Sequence, residues 1–283
     1  MSAGEPATTG QLFVVATPIG NLGDITLRAI ETLRAVDRVL AEDTRRTRGL
    51  LSHLGISGKP LDRLDAHAEE AAIPRVIERL VGGESIALCT DAGTPVVSDP
   101  GALLIQAAIA AGVRVVPLPG ASAVMAAIAL SGFGSGGFRF LGFLPRGGPE
   151  RREALGIVAG TPEAVLLFES PQRIADTLSD LAAVMPSREA VVARELTKLH
   201  EEAVRGTLAA LAAQGPREWL GEVTLVLGPR VAVEAIRLGD AEIDARIDAE
   251  LGKGRRAKDV AEELALETGL PKRELYARVV GRR

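Results

Sequence analysis

Four short stretches of this chain gather side chains able to do chemistry. In residues 85–101, SIALCTDAGTPVVSDPG, an apolar run breaks abruptly into Thr90, Asp91, Ala92, Gly93, Thr94 and Pro95. Asp91 supplies acceptors, Thr90, Thr94 and Ser98 supply hydroxyls, Gly93 and Gly101 let backbone approach a ligand, and Pro95 and Pro100 stiffen the loop. The second stretch is Glu42, Asp43, Thr44, Arg45, Arg46, Thr47 and Arg48, where guanidinium groups that suit phosphates follow two carboxylates. His67, between Asp65 and Glu69, is the third, and Glu195, Leu196, Thr197, Lys198, Leu199, His200 and Glu201 form the fourth. Each has a plainer reading. Ser98 or Asp99 would cap a helix, Asp43 or Thr44 would cap another whose arginines face water, and a His beside carboxylates is ordinarily a surface residue.

The elements that must position these groups read as alternating strands and helices. Residues 12–16, 38–41, 85–89 and 113–117 are short apolar runs that end in Gly/Pro-rich or charged loops, as buried parallel strands do at the end where open α/β sheets bind ligands. Helical spacing follows at 26–35, 73–80, 102–111 and from the small-residue loop Pro119, Gly120, Ala121, Ser122, Ala123 through Leu130. Glycine and serine dominate 132–137, which places a domain boundary there. Strands are expected again at 138–143, 164–168, 189–194 and 222–227, with helices up to Val184 and over 207–214. Residues 239–283 carry no strand pattern, and 257–268, a Gly-Leu-Pro break and 272–280 resemble a helix-turn-helix.

Composition narrows the function. The 283 residues are 47% hydrophobic and 25% charged, with a formal net charge of −4, and mean hydropathy is +0.18. Aromatic residues make up 3%, so any RNA contact is expected to lean on Arg, Lys and shape rather than on stacking platforms. From Leu251 onward nine Lys and Arg face five Asp and Glu, a basic end suited to an acidic partner. The glycine-rich loop after the first strand is not a GxGxxG fingerprint and no P-loop Gly-Lys-Ser/Thr occurs, and the three His and the single Cys89 lack metal-ligand spacing, so no metal is expected. Cys89 reads as a small core residue of a reducing compartment. Without a run of about 18 apolar residues or a leader-like start, the expectation is a cytoplasmic protein that does not enter a membrane.

Taken in order, VATPIGNLGD (15–24), AEDTRRT (41–47), CTDAGTPVVSDPG (89–101), PLPGASA (117–123), FESPQRI (168–174), ARELTKLHEE (193–202) and GEVTLVLGP (221–229) resemble the bacterial family of 16S ribosomal RNA cytidine 2′-O-methyltransferases within the tetrapyrrole-methylase superfamily. The resemblance spans residues 12–229. It implies an α/β fold: two α/β domains of the tetrapyrrole-methylase type, 11–132 and 133–232, with a cofactor cleft between them. A flexible terminus over 1–10 precedes them, and a basic helical region over 239–283 follows. It also implies S-adenosylmethionine as cofactor, cytidine 1402 of 16S rRNA in the small ribosomal subunit as substrate, and a homodimer. Carried over by motif, Pro18, Asp91, Ala92, Gly93, Thr94, Ser122, Ala123, Phe168, Glu169, Glu222, Val223 and Thr224 would bind the cofactor. The loop after Cys89 reads Asp-Ala-Gly where the superfamily has a Gly-Asp-Pro type. Asn21, Arg45, Arg46 and Arg48 would bind the RNA, together with Asp43 and Lys198.

Methyl transfer from a sulfonium is an in-line displacement in which alignment supplies much of the rate. A ribose hydroxyl is a weak acid, so a general base helps. Asp43, His67 and Glu195 are candidates, and Lys198 is the candidate for lowering the hydroxyl's pKa; the sequence does not choose among them. Two other readings stay open: a relative that methylates a tetrapyrrole or a modified protein residue, and an RNA-binding module without activity.

Overall fold

The computed structural model describes residues 9–65, 69–214, 218–230, 239–268 and 270–282. The chain forms two compact units, Met1–Pro229 and Arg230–Arg283.

The first unit contains two five-stranded sheets. Strands β1 (Gln11–Val15), β2 (Arg38–Ala41), β3 (Leu61–Arg63), β4 (Ile86–Cys89) and β5 (Arg114–Leu118) make a parallel sheet in the order β3-β2-β4-β1-β5. The connections out of β1 and β4 run to opposite sides, so their carboxyl ends lie together at the centre of the sheet. Helices α1 (Leu27–Ala35), α2 (Thr44–His53), α3 (Glu69–Val81) and α4 (Ala102–Ala110) cover its faces. One core gathers Leu12, Leu40, Leu88, Leu80 and Leu104, and the other gathers Val15, Leu33, Val39 and Cys89. Strands buried on both faces cannot alternate apolar with polar residues, which is why they read as continuous apolar runs. Burial pushes the Cys89 thiol up to about 12, so it packs as a hydrophobe.

Helix α5 (Ala123–Ser131) links the sheets. Its small apolar residues Val124, Ala127 and Ile128 pack with Ala164, Leu166, Val191, Ala193 and Val226 of the second sheet. That sheet has the order β6-β7-β10-β8-β9, from β6 (Phe138–Phe143), β7 (Ala164–Glu169), β8 (Glu189–Arg194), β9 (Glu202–Thr207) and β10 (Val223–Leu227). It is mixed: only β6 and β7 pair in parallel, and the other pairs are antiparallel. Its far face carries Val165, Leu167, Val192 and Leu225 against α6 (Gly148–Gly160), α7 (Ile174–Val184) and α8 (Leu208–Ala212). Truncating one such fully buried leucine, Leu167 for example, to alanine costs about 2–5 kcal/mol.

The structure adds elements that the sequence pattern hid. Helix α6 and edge strand β9 follow no apolar rhythm, and the helix expected over 207–214 is the shorter α8, capped by Thr207. The caps also differ. Neither Ser98 nor Asp99 caps α4; buried Glu69 does, its Oε1 accepting from Gly101 N at 3.1 Å and Leu104 N at 3.0 Å.

The second unit is three helices, α9 (Asp240–Gly252), α10 (Ala257–Thr268) and α11 (Lys272–Val280), around Ile243, Ile247, Val260, Leu264, Leu275 and Val279. Its charge corrects the picture of a basic tail. Counted from Asp240, Lys and Arg equal Asp and Glu at ten each. Arg278 pairs with Asp240 and Asp244 at 2.7 and 2.6 Å, and Arg282 pairs with Asp244 and Asp248. Arg256, Lys258 and Arg273 remain exposed.

Candidate functional site

The chain leaves β1 and β4 side by side, and the two loops are fastened together. Thr17 N donates to Gly93 O at 2.8 Å, Gly93 N donates back to Thr17 O at 2.9 Å, and the Thr17 hydroxyl donates to Thr90 O at 3.1 Å. Beyond this bridge Val96 and Ser98 hold φ of +78° and +67°. A β-branched residue in the left-handed region costs on the order of 1–3 kcal/mol, and strain of this kind gathers where a loop must present particular groups.

These loops form one side of a cavity of about 430 Å³, within the range of small-molecule sites. Ala92, Gly93, Thr94, Val97 and the amino-terminal turn of α5, from Ser122 to Val124, line that side, and Phe143, Phe168, Ser170, Pro171 and the segment Gly221 to Thr224 line the other. Phe168 meets Phe140 edge-on with ring centroids 4.8 Å apart and Phe143 at 5.6 Å, giving an aromatic wall. A third wall is acidic: Glu42, Asp91 and Asp99, with Arg46 at its edge.

The acidic wall is under-compensated. The Thr90 hydroxyl donates to Glu42 Oε2 at 2.8 Å, Asp91 Oδ1 accepts from Asp43 N at 3.0 Å, and Arg46 Nε lies 3.5 Å from Asp91 Oδ2. Burial, then the charge of Glu42, raises Asp91 against the hydrogen bond from Asp43. Burial, with Glu42 and Asp91 nearby, raises Asp99 to about 6 although Thr90 bonds it. Asp43 goes the other way. It caps α2 by accepting from Arg45 N at 2.8 Å and pairs with the Arg45 side chain at 2.9 Å, which holds its carboxyl down at about 2.

At the mouth a second cluster ties the sheets together. Lys198 Nζ donates to Glu195 Oε1 at 2.8 Å and Glu222 Oε2 at 2.9 Å. Burial pulls the Lys198 ammonium down, but these bonds outweigh it and its pKa is raised; the bond from Lys198 in turn lowers Glu195. The loop also accepts Asn21 N on the Thr197 hydroxyl at 3.1 Å. Gly20 and Gly221 make room for it, because a Cβ at Gly20 would lie 2.4 Å from Lys198 Cγ and one at Gly221 1.9 Å from Glu195 Oε1.

All the residues expected around the cofactor line this cavity except Pro18, whose neighbour Ile19 does. Two of them present backbone only. Along β7 the side chains alternate between the α5 face and the α7 face, so Phe168 faces the cavity and Glu169 faces away. The Glu169 side chain is 1% exposed and engaged by Thr177 Oγ1 at 2.7 Å, Ser170 N at 2.8 Å and Arg173 at 3.3 Å. The same alternation turns Val223 into the core and Thr224 to the cavity. Of the residues expected at the RNA, Arg46 reaches the cavity edge, Arg45 and Arg48 stand exposed on α2, and Asn21 sits at the Lys198 loop. His67 lies outside the described residues. Glu42 and Asp99 were missed as site residues, although both sit inside the quoted motifs at strand or loop ends, which is the available signal.

This arrangement, a parallel sheet and a mixed sheet meeting at one cavity with α5 between them, defines a methylase class. The family of Tetrapyrrole (Corrin/Porphyrin) Methylases matches residues 11–212. Among solved structures the chain is similar to diphthine synthase, with a TM-score of 0.60 and 22% identity over 77% of this chain and 90% of that one. It is also similar to Thermus thermophilus uroporphyrin-III C-methyltransferase complexed with S-adenosylhomocysteine, with a TM-score of 0.52 and 18% identity over 77% and 97% of the two chains. These show the fold. Two relatives named ribosomal RNA small subunit methyltransferase I reach further. That of Xylella fastidiosa Temecula1 is 45% identical over 95% of this chain and 99% of its own. That of Mesorhizobium japonicum is 45% identical over 98% and 92%. The chain belongs to the ribosomal RNA small subunit methyltransferase I family of tetrapyrrole methylases and is a methyltransferase.

Proposed function

We propose that this chain methylates the ribose 2′-hydroxyl of a cytidine, cytidine 1402, in 16S rRNA of the small ribosomal subunit, using S-adenosylmethionine, in the cytoplasm and as a homodimer. Residues 11–132 and 133–232 act as two domains closing on one cleft. The observation that carries the reading is the cavity with three unlike walls, beside which the exposed arginines of α2 stand. Among the described residues no group of His, Cys, Asp and Glu is arranged to hold a metal ion, and no helix is long and apolar enough to cross a membrane.

The lining suits S-adenosylmethionine by its donor set. Ala92, Gly93 and Ala123 allow close backbone approach, Phe168 and Val97 offer apolar contact to a purine, Thr94, Ser122 and Thr224 offer hydroxyls, and the acidic wall complements a cation. Bound there, the cofactor supplies a methyl group on a positively charged sulfur. Arg45, Arg46 and Arg48 meet phosphates and set the register of the RNA. Holding a ribose oxygen in line is worth roughly 7–11 kcal/mol of barrier. Lys198, bonded to Glu195 and Glu222, keeps its proton and stays a cation able to lower the pKa of a nearby ribose hydroxyl.

The test is transfer of labelled methyl from S-adenosylmethionine to small subunits that lack the modification, and to free 16S rRNA, with mapping of the labelled nucleotide. Label on a cytidine 2′-oxygen supports the reading. Label absent from both RNAs while cofactor binds moves the chain to a tetrapyrrole or protein substrate, or to a module without activity.

A further inference from the structure

Among the described residues, two phenylalanines line the cavity. Phe168 is half-buried in its wall, whereas Phe143, the last residue of β6, is 56% exposed. One exposed ring is ordinary on a protein surface; the way this one is aimed is not. Phe140 packs on the α5 face with Phe168, and Leu141 packs on the opposite core. Strict alternation would send Phe143 after Leu141, away from the cavity. The register with β7 prevents this. Phe140 pairs with Leu166 and Phe143 with Phe168, so β6 advances three residues where β7 advances two. The extra residue is a bulge, a rare device in a parallel pair, and bulges beside sites re-aim a side chain. Gly142 supplies the reversal at φ +65°, and a Cβ there would lie 3.3 Å from Ser98 Oγ.

The chain beyond the ring is held as firmly. Arg173 Nη2 donates to Leu144 O at 2.7 Å, and Arg151 Nη1 donates to Pro145 O at 3.0 Å. Both guanidinium groups are fixed in turn, Arg173 by Glu169 at 3.3 Å and Arg151 by Asp180 at 2.8 Å and Thr177 at 3.1 Å. Thr177 itself donates to Glu169. Glu169 thus faces away from the cavity and still serves it, by anchoring the loop that follows Phe143. With a bulge before the ring and a buried ionic network behind it, the ring is preorganised for a ligand.

We propose that Phe143 is the platform on which the target base stacks while its ribose enters the cavity; this deepens the RNA-methylating reading above and rests on it. To bring a 2′-oxygen to a methyl group inside a cavity, the nucleotide leaves its helical stack, and bases released in this way are held against aromatic faces. The base is joined to C1′, the neighbour of the carbon that bears the 2′-oxygen, so it stays at the mouth when the hydroxyl is inside. Phe143 is the exposed ring of the lining, and the more buried Phe168 is left to the cofactor's purine. Every base has a π-face, so the ring holds the base without reading its identity. One ring at the reacting nucleotide is also compatible with an aromatic content of 3%, because the rest of the RNA is gripped through its phosphates.

The experiment compares wild type with Phe143→Ala, Phe143→Leu and Phe143→Tyr on small subunits that lack the modification. Loss of stacking in Phe143→Ala is expected to lower kcat/KM for the RNA by about 5- to 150-fold. Phe143→Leu keeps apolar bulk without a π-face and should resemble alanine, whereas Phe143→Tyr keeps the ring and should stay within about threefold of wild type. The calorimetric dissociation constant for S-adenosylmethionine is expected to change by less than about threefold in all three, which also shows the cavity intact. Full activity in Phe143→Ala, a Phe143→Tyr variant no faster than Phe143→Leu, or a loss of cofactor affinity as large as the loss on RNA overturns the platform. The last of these gives the ring to the cofactor's purine. Wild type that transfers no methyl to any RNA overturns the functional reading itself, and the platform with it.

Discussion

Carboxylates crowd in two places, the cavity wall and the helical unit, with opposite outcomes. In the helical unit Asp240, Asp244 and Asp248 face Arg278 and Arg282, and the arginine bonds lower Asp244. In the cavity wall Glu42, Asp91 and Asp99 share, among the described residues, Arg46 alone, and burial raises Asp91 and Asp99. Compensated charge at a surface is scaffold, worth little and easily replaced. Uncompensated charge in a cavity costs stability, and it is retained where a cation or a proton is to be received.

The largest effect on binding is expected at Asp91. Asp91→Asn keeps the acceptor for the Asp43 N–H but removes a charge facing the cofactor, so affinity for S-adenosylmethionine should fall by about 10 to 100-fold, as for a buried charged hydrogen bond, with RNA affinity changed far less by filter binding. The reverse order would place the acidic wall on the RNA side.

Next comes removal of the helical unit. A cut before Leu251 would leave α9 without its partners and expose Ile243 and Ile247, which belong to the shared core; the deletion must start at Arg230. With Arg256, Lys258 and Arg273 gone, RNA binding should weaken by about tenfold and lose salt dependence, while calorimetry finds cofactor affinity unchanged. Equal losses would refute a separate RNA-binding role for the unit.

A smaller effect is a stability signature. Because the folded-state value of Asp99 lies above its ordinary 3.8, at about 6, its neutral form is favoured in the fold. The cost is absent below about pH 4, appears as pH rises through 6, and is complete by pH 8. Asp99→Asn should therefore raise Tm at pH 8 by a few degrees, on the order of 1 kcal/mol, and leave it unchanged at pH 4. A Tm lowered equally at both would make Asp99 structural.

The smallest effect belongs to the compensated side. Arg278→Gln should cost at most about 1 kcal/mol in denaturant unfolding and leave both affinities intact. A loss several times larger would erase the contrast between the two regions.

Much of this was legible in the residues. Apolar runs located β1, β2, β4, β7, β8 and β10 because strands buried on both faces must be apolar throughout, and Gly/Pro-rich loops marked their carboxyl ends. Strand β9, EAVRGT, escaped because an edge strand needs no apolar run, and α6, GPERREALGIVAG, because its apolar positions do not form a stripe. The orientation of Glu169 was within reach, since period-two alternation from the core residues Leu166 and Leu167 already turns it away from Phe168.

Composition and motif order thus determined the fold class, the family and about half of the cavity lining, because these depend on local pattern and on loops set at strand ends. The tertiary structure alone decided which carboxylates are compensated. Glu69 reaches α4 from 32 residues away, Arg278 meets Asp240 and Asp244 across helices, and Thr90 stands between Glu42 and Asp99. The balance of charge at a point depends on distances through space, which spacing along the chain does not specify.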